Sequence, residues 1–211
     1  GGVLFNKNFT TLIRYPGGLS GSYTIPDSVT DIADFAFHWC DSLTSVIIPD
    51  SVTTVGEWAF GGCAALTSVI IPDSVINIGE RVLTWCSSLT YVAIGSSVAN
   101  IGNEAFTVCT SLTSIAVSAD NPKYASSGGV LFNKDFTTLI RYPGGLSGSY
   151  TIPDSVTDIG NDAFSICDSL TSVIIPDSVT NIGDHAFHDC GALTSVAIPD
   201  SVKTIGDWAF Y

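Results

Sequence analysis

The chain's reactive groups are six cysteines, three histidines and twenty acidic side chains, set among 211 residues. The cysteines lie at Cys40, Cys63, Cys86, Cys109, Cys167 and Cys190, with gaps of 23, 23, 23, 58 and 23. Thiols can act as nucleophiles, metal ligands or disulfide partners. Adjacent rungs of a 23-residue stack would also fall within bridging range. However, side chains at one repeat position all point the same way, so this column reads as buried free thiols acting as small hydrophobes. His185 and His188 stand three apart beside Asp184, Asp189 and Cys190, a zinc-like set. Against zinc, Cys190 belongs to the thiol column, and His38 occupies the same column as His188 without a partner histidine. Two acidic columns suggest weak calcium binding through oxygen ligands. One runs through Asp27, Asp50, Asp73, Asp154, Asp177 and Asp200, the other through Asp34, Glu57, Glu80, Asp184 and Asp207. The competing reading gives each Asp a turn or capping role. No phosphate-cradling glycine loop and no G-x-S-x-G elbow occurs. The expectation is no catalytic, cofactor or metal residues, and no enzyme.

The elements that position these groups follow from the period. A fixed repeat of 23 residues marks a solenoid. Turns start at Ser28, Ser51, Ser74, Ser97, Ser155, Ser178 and Ser201, with the pattern S-V-x-x-I-G-x-x-A-F-x-x-C-x-S-L-T-S-V-x-I-P-D. Leu43 to Pro49 is rich in β-branched residues and reads as a strand with Leu43, Val46 and Ile48 inward. Pro49-Asp50 then turns the chain, and Val52 and Val55 return inward. Glu57-Trp58-Ala59-Phe60 reads as a single helical turn burying Ala59 and Phe60, stable only through stacking.

Above this period sits a longer one. Residues 1–32 match residues 128–159 at 31 of 32 positions, Asn8 against Asp135 being the exception. The offset of 127 equals four 23-residue turns plus one 35-residue unit. In that unit, Gly128 to Asn133 and Thr137 to Tyr142 read as a projecting β-hairpin. Val3 to Tyr15 repeats it. The whole chain, 1–211, reads as one solenoid, with hairpin-bearing units at 1–27 and 120–154 and 23-residue repeats at 28–119 and 155–211.

The turn I-G-x-x-A-F-x-x-C-x-S-L-T-S-V-x-I-P-D resembles the BspA-type (Treponema pallidum-type) leucine-rich repeat, and the stretch Asn121 to Pro143 is similar to inserts in that family. The resemblance implies an α/β solenoid: a right-handed superhelix of about eight coils with parallel strands on its concave face and two β-hairpin insertions. It also implies an extracellular or cell-surface protein that adheres to or recognises other proteins, including host matrix proteins, without catalysis.

Composition narrows the partners. Hydrophobic residues make up 45% and charged residues 13%, excluding disorder. A net charge of -13 argues against nucleic acid and anionic membranes. No apolar run approaches the ~20 residues of a membrane span. Lacking any Met, the chain reads as a processed or excised piece of something longer. The expected binding face is the outward side of the strands: Thr44, Ser45, Ile47, Thr67, Ser68, Ile70, Thr90, Tyr91, Ala93, Thr113, Ser114, Ala116, Thr171, Ser172, Ile174, Thr194, Ser195 and Ala197. Tyr91 breaks its serine column. Trp39, Trp58, Trp85 and Trp208, beside the Ala-Phe motif, are secondary candidates. The hairpin tips, with Lys7 and Lys134, are further loop candidates. Rival readings are a structural spacer projecting another domain, a calcium-stabilised repeat, and end-to-end self-association through uncapped coils.

Overall fold

The computed structural model describes residues 2–211 and is a β-solenoid of about eight coils. The regular coils from Ser28, Ser51, Ser74, Ser97 and Ser155 contribute two strands each, and no helix occurs among the described residues. The longer strands include Leu43–Ile47, Ser68–Ile71, Tyr91–Ile94 and Ser114–Val117. Tyr91–Ile94 pairs in parallel with its neighbours on both sides, at a register of 23 residues. Alternation buries Val69 and Ile71 and turns Ser68 and Ile70 to solvent.

A second wall, not foreseen as strand, comes from two-residue strands such as Asp31–Ile32, Thr54–Val55 and Asn77–Ile78. Short as they are, they stack four and three deep and, with strands of the hairpin-bearing units, complete two sheets of six, whereas the long coil strands split into sheets of two, three and two. The expected strand at Thr194 to Ala197 is unpaired. The coil after it contributes the short strand Thr204–Ile205 and an arc to Tyr211, but no long strand to pair with Thr194 to Ala197.

The segment read as a helical turn is instead a chain of tight turns. In the coil from Ser28, the Ala36, His38 and Cys40 amides bond back to Ala33, Phe35 and Phe37. The intervening amides of Phe35, Phe37 and Trp39 donate to Glu57, Ala59 and Gly61 of the next coil, at 2.7–2.9 Å. An α-helix would use these amides internally, so the inter-coil ladder excludes it. The geometry requires a left-handed residue twice per arc, filled by Phe35 and Trp39 here and by Arg81 and Trp85 two coils on, with φ between 51° and 63°. Such residues cost roughly 1–2 kcal/mol each, which the ladder must offset. Ala59 and Phe60 are buried as expected.

Coils approach closely along a glycine column. A Cβ on Gly56, Gly79, Gly102, Gly183 or Gly206 would lie 2.3–2.5 Å from the preceding coil. Inside, aromatic rings stack from coil to coil: Tyr15, Phe37 and Phe60 at 5.0 and 4.8 Å, then Tyr142, Phe164, Phe187 and Phe210 at 5.1, 4.8 and 5.1 Å.

In the 35-residue unit the two strand runs pair antiparallel, and the second also runs parallel to the next coil's short strand. The unit therefore belongs to the sheet as well as carrying antiparallel strands. Tyr124–Ser127 adds a third antiparallel strand beside Val130–Asn133. That central strand divides the interior: Leu131 packs into the core of the first half, Val130 and Phe132 into that of the second. Asn121, fully buried, locks the unit in place. Its amide donates to the Gly95 and Val98 carbonyls at 2.9 and 3.0 Å, and its oxygen accepts from the Lys123 and Tyr124 amides.

Candidate functional site

The cysteine column serves structure. All six thiols are free; five are buried, and Cys190 is half-buried rather than buried. Cys63, Cys86, Cys109 and Cys190 donate to carbonyls of the preceding coil at 3.1–3.2 Å. Burial pushes the Cys109 and Cys167 thiols up to about 12, which suppresses the nucleophilic thiolate. Two members of the acidic arc column cap amides of the next coil: Asp34 accepts from the Glu57 amide at 2.7 Å and Asp184 from the Asp207 amide at 2.8 Å. Asp73 likewise accepts from the Ser96 amide at 2.6 Å, which lowers its carboxyl below the usual range. His188 meets Asp189 at 3.2 Å. Among the described residues, no three His, Cys, Asp or Glu side chains converge on one point.

The outward strand face lies where alternation places it. Thr44, Ile47, Thr67, Ser68, Ile70, Thr90, Tyr91, Thr113, Thr171, Ser172, Ile174, Thr194, Ser195 and Ala197 are exposed, while Ser45, Ala93, Ser114 and Ala116 are half-buried. The threonines form a ladder, with the Thr90 hydroxyl donating to the Thr67 carbonyl at 3.0 Å and Thr113 to Thr90 at 3.2 Å. The neighbouring column changes size along the stack. Ile47 and Ile70 are 58% and 65% exposed, and Ala93 and Ala116 succeed them. The step opens a hollow of about 480 Å³ bounded by Ile70, Tyr91, Pro72 and Gly95, with Asp50 and Asp73 at its edge. Gly95 is required there, because a Cβ would lie 2.5 Å from the Pro72 carbonyl oxygen.

On the arc side, Trp39, Trp85 and Trp208 are 55%, 53% and 59% exposed, but Trp58 is half-covered. His38 stacks on Trp58 at 5.2 Å, and the Arg81 guanidinium lies over the same ring at 5.7 Å while pairing with Glu104. Trp58 thus belongs to an intramolecular stack, while Trp39 meets His38 at a tilt and Trp208 meets Tyr211 edge-on.

Two arginines with no sequence-based role prove structural. The two hairpin-bearing units lack an Ala-Phe arc, and an arginine supplies donors in its place. Arg141, 4% exposed, donates to the Asp162 and Ser165 carbonyls at 2.5 and 3.0 Å. Its exposed counterpart Arg14 donates to the Phe35 and His38 carbonyls. The available signal was Ala33 in the glycine column: without a preceding arc there is room for a methyl, as the looser 3.0 Å contact at Gly160 also shows.

Stacked 23-residue coils with two parallel strand walls, and no helix among the described residues, define a repeat-built β-solenoid. The BspA type leucine rich repeat region matches in six copies over residues 20–127 and 147–211, so the chain belongs to that family. Three solved structures are similar. A leucine-rich repeat protein from Eubacterium ventriosum is 29% identical with a TM-score of 0.81, covering 93% of this chain and 56% of its own. The pneumococcal vaccine antigen PcpA is 25% identical with a TM-score of 0.73, covering 96% and 57%. A leucine rich cell surface protein from Faecalibacterium prausnitzii is 27% identical with a TM-score of 0.59, covering 90% and 70%. The chain spans a little over half the length of the first two. No curated protein matches it. Among the described residues, no helix is long and apolar enough to cross a membrane.

Proposed function

We propose that the chain is a protein-binding module of a secreted or surface-displayed protein, and that its partner seats on the outward face of the long strands around Tyr91, Ala93 and Ala116. One observation carries this reading: the face leaves Ile47 and Ile70 in water beside a hollow where the column drops to alanine. Apolar surface next to a cavity, rimmed by hydroxyls, suits a partner's apolar side chain. Asp50 and Asp73 at the edge favour a basic residue beside it. The description of one similar structure as a cell surface protein and another as a vaccine antigen supports the location.

The test is surface-plasmon binding to a panel of extracellular matrix and serum proteins at physiological salt. Saturable binding is expected, weakened at least tenfold by Ala93→Ile, which fills the hollow, and by Tyr91→Ser. A folded protein that binds no panel member would favour the spacer reading instead. Binding indifferent to both substitutions would move the site elsewhere.

A further inference from the structure

The left-handed residues of successive arcs stack into two ridges on the outer surface. One runs through Phe35, Trp58, Arg81 and Glu104 and resumes at Asp162 and His185. The other runs through Trp39, Gly62, Trp85 and Val108 and resumes at Ile166 and Asp189. Both stop at the 35-residue unit. There the chain's own Tyr142 to Gly144 closes the wall. The Tyr142 amide donates to the Ala163 carbonyl at 2.7 Å, and its ring stacks on Phe164. A Cβ on Gly144 would lie 3.2 and 3.3 Å from the Cys109 and Ile166 carbonyl oxygens. No residue between Phe136 and Gly148 is left-handed, so the wall is complete but its ridges dip.

The dip is a hollow of about 340 Å³, within the ~300–1,000 Å³ range of small-molecule sites. The first ridge gives it a polar wall of Arg81, Glu104, Asp162 and His185, and the second an apolar wall of Trp85, Val108 and Ile166. The Trp85 ring is exposed. Thr84, Thr107 and Ser165, all buried, lie between the walls. With Asn121 and Arg141 they are the buried polar side chains among the described residues. Arg141 lines an adjoining space of about 210 Å³, so every one of these but Asn121 gathers here. The Thr107 hydroxyl, in a residue 7% exposed, and the Arg141 Nε have no hydrogen-bond partner. Burying polar atoms unpaired is costly. Gathering them beneath one surface hollow points to a bound polar molecule rather than to stability.

We infer that this hollow binds a neutral saccharide, with a sugar ring laid against Trp85 and its hydroxyls turned to the polar wall. Charge disfavours other small ligands. Arg81 and Glu104 neutralise each other, and the chain carries a net charge of -13, so an anion finds no free cation on the wall. A cation would meet Arg81, His185 and His188 around Asp162, the carboxylate left outside that pair. A pyranose has two faces that match the two walls. Its C–H groups are attracted to the negative face of the indole. Its hydroxyls both donate and accept, so Asp162 and Glu104 accept from them while Arg81 and His185 donate. Burial raises the Asp162 carboxyl above its ordinary value, as fits a carboxylate short of donors. The hollow is separate from the strand face, so loss of either reading leaves the other standing.

The probes are the neutral disaccharides maltose, chitobiose and N-acetyllactosamine, with sialyllactose as an anionic control. Each is titrated at millimolar concentration into the 211-residue protein, followed by two-dimensional NMR. At least one neutral disaccharide should give saturable shifts at the Trp85 indole N–H and the amides of Glu104 to Val108. Trp85→Val should weaken its binding at least tenfold. Val108 holds the same column in the same left-handed conformation, so the fold accepts valine there. Asp162→Asn should also weaken it at least tenfold, and asparagine tolerates the left-handed conformation of Asp162. Melting temperatures confirm that both variants fold. Trp39→Val, the same change two coils back and outside the hollow, should leave binding unchanged. Three results would each overturn the proposal: no shift with any of the neutral disaccharides, binding indifferent to Trp85→Val or Asp162→Asn, or equal loss with Trp39→Val. Tighter binding of sialyllactose, or displacement by inorganic sulfate, would also overturn it, making the hollow an anion site.

Discussion

Residues 2–32 and 129–159 differ only at Asn8 and Asp135, yet they inhabit different environments. Leu4 is 54% exposed, whereas Leu131 is wholly buried. Arg14 is exposed and Arg141 is 4% exposed, although both donate to two carbonyls of the coil that follows. Gly18 has nothing within 4 Å of a would-be Cβ, but at Gly145 that atom would lie 2.6 Å from the Ser111 backbone. The first copy has only a following coil in the structure, while the second lies between two. A repeat's sequence therefore specifies contacts forward along the stack, and its neighbour behind decides what those residues are worth.

Paired substitutions sharpen this contrast. The largest difference is expected for leucine. Leu131→Ala should cost roughly 2–5 kcal/mol by opening a cavity, and Leu4→Ala under about 1 kcal/mol, both read by urea denaturation. Arg141→Met strands the Asp162 and Ser165 carbonyls at about 1–3 kcal/mol each. The exposed Arg14→Met should cost about 1 kcal/mol or less, since water replaces its bonds. Gly145→Ala should lose about 1–3 kcal/mol by overpacking, with Gly18→Ala near zero. Equal effects within any pair would show that the two copies do not differ as the contacts state. The smallest contrast is in pH. Unfolded thiols ionise near pH 8.5, and burial holds Cys109 and Cys167 to about 12. The unfolded chain therefore gives up these protons first, and stability should fall as pH rises from about 8.5 towards 12. Cys109→Ser and Cys167→Ser should flatten that slope, measured by denaturation at successive pH values.

Much of the fold was legible because the period fixes burial. Leu43, Val46 and Ile48 face inward, as the leucine-rich spacing requires, and the thiol column follows from its 23-residue gaps. The arc was misread because a left-handed residue that is not glycine leaves no mark in sequence. Trp58, Arg81 and Glu104 share one backbone conformation and no chemistry. The second strand wall was missed since two residues such as Thr54–Val55 form a ladder only by stacking. Alternation located the outward strand face, including Tyr91. It did not reveal the hollow, which depends on isoleucine giving way to alanine between coils.

The central strand of the insert has a mechanical consequence. Leu131 is held by one core, and Val130 and Phe132 by the other, so Val130–Asn133 works as a rivet through a shared partition. Tension applied along the solenoid axis would be borne in series by the coils on either side. Each block can then yield as its own unit while the rivet keeps the first rupture from running into the second.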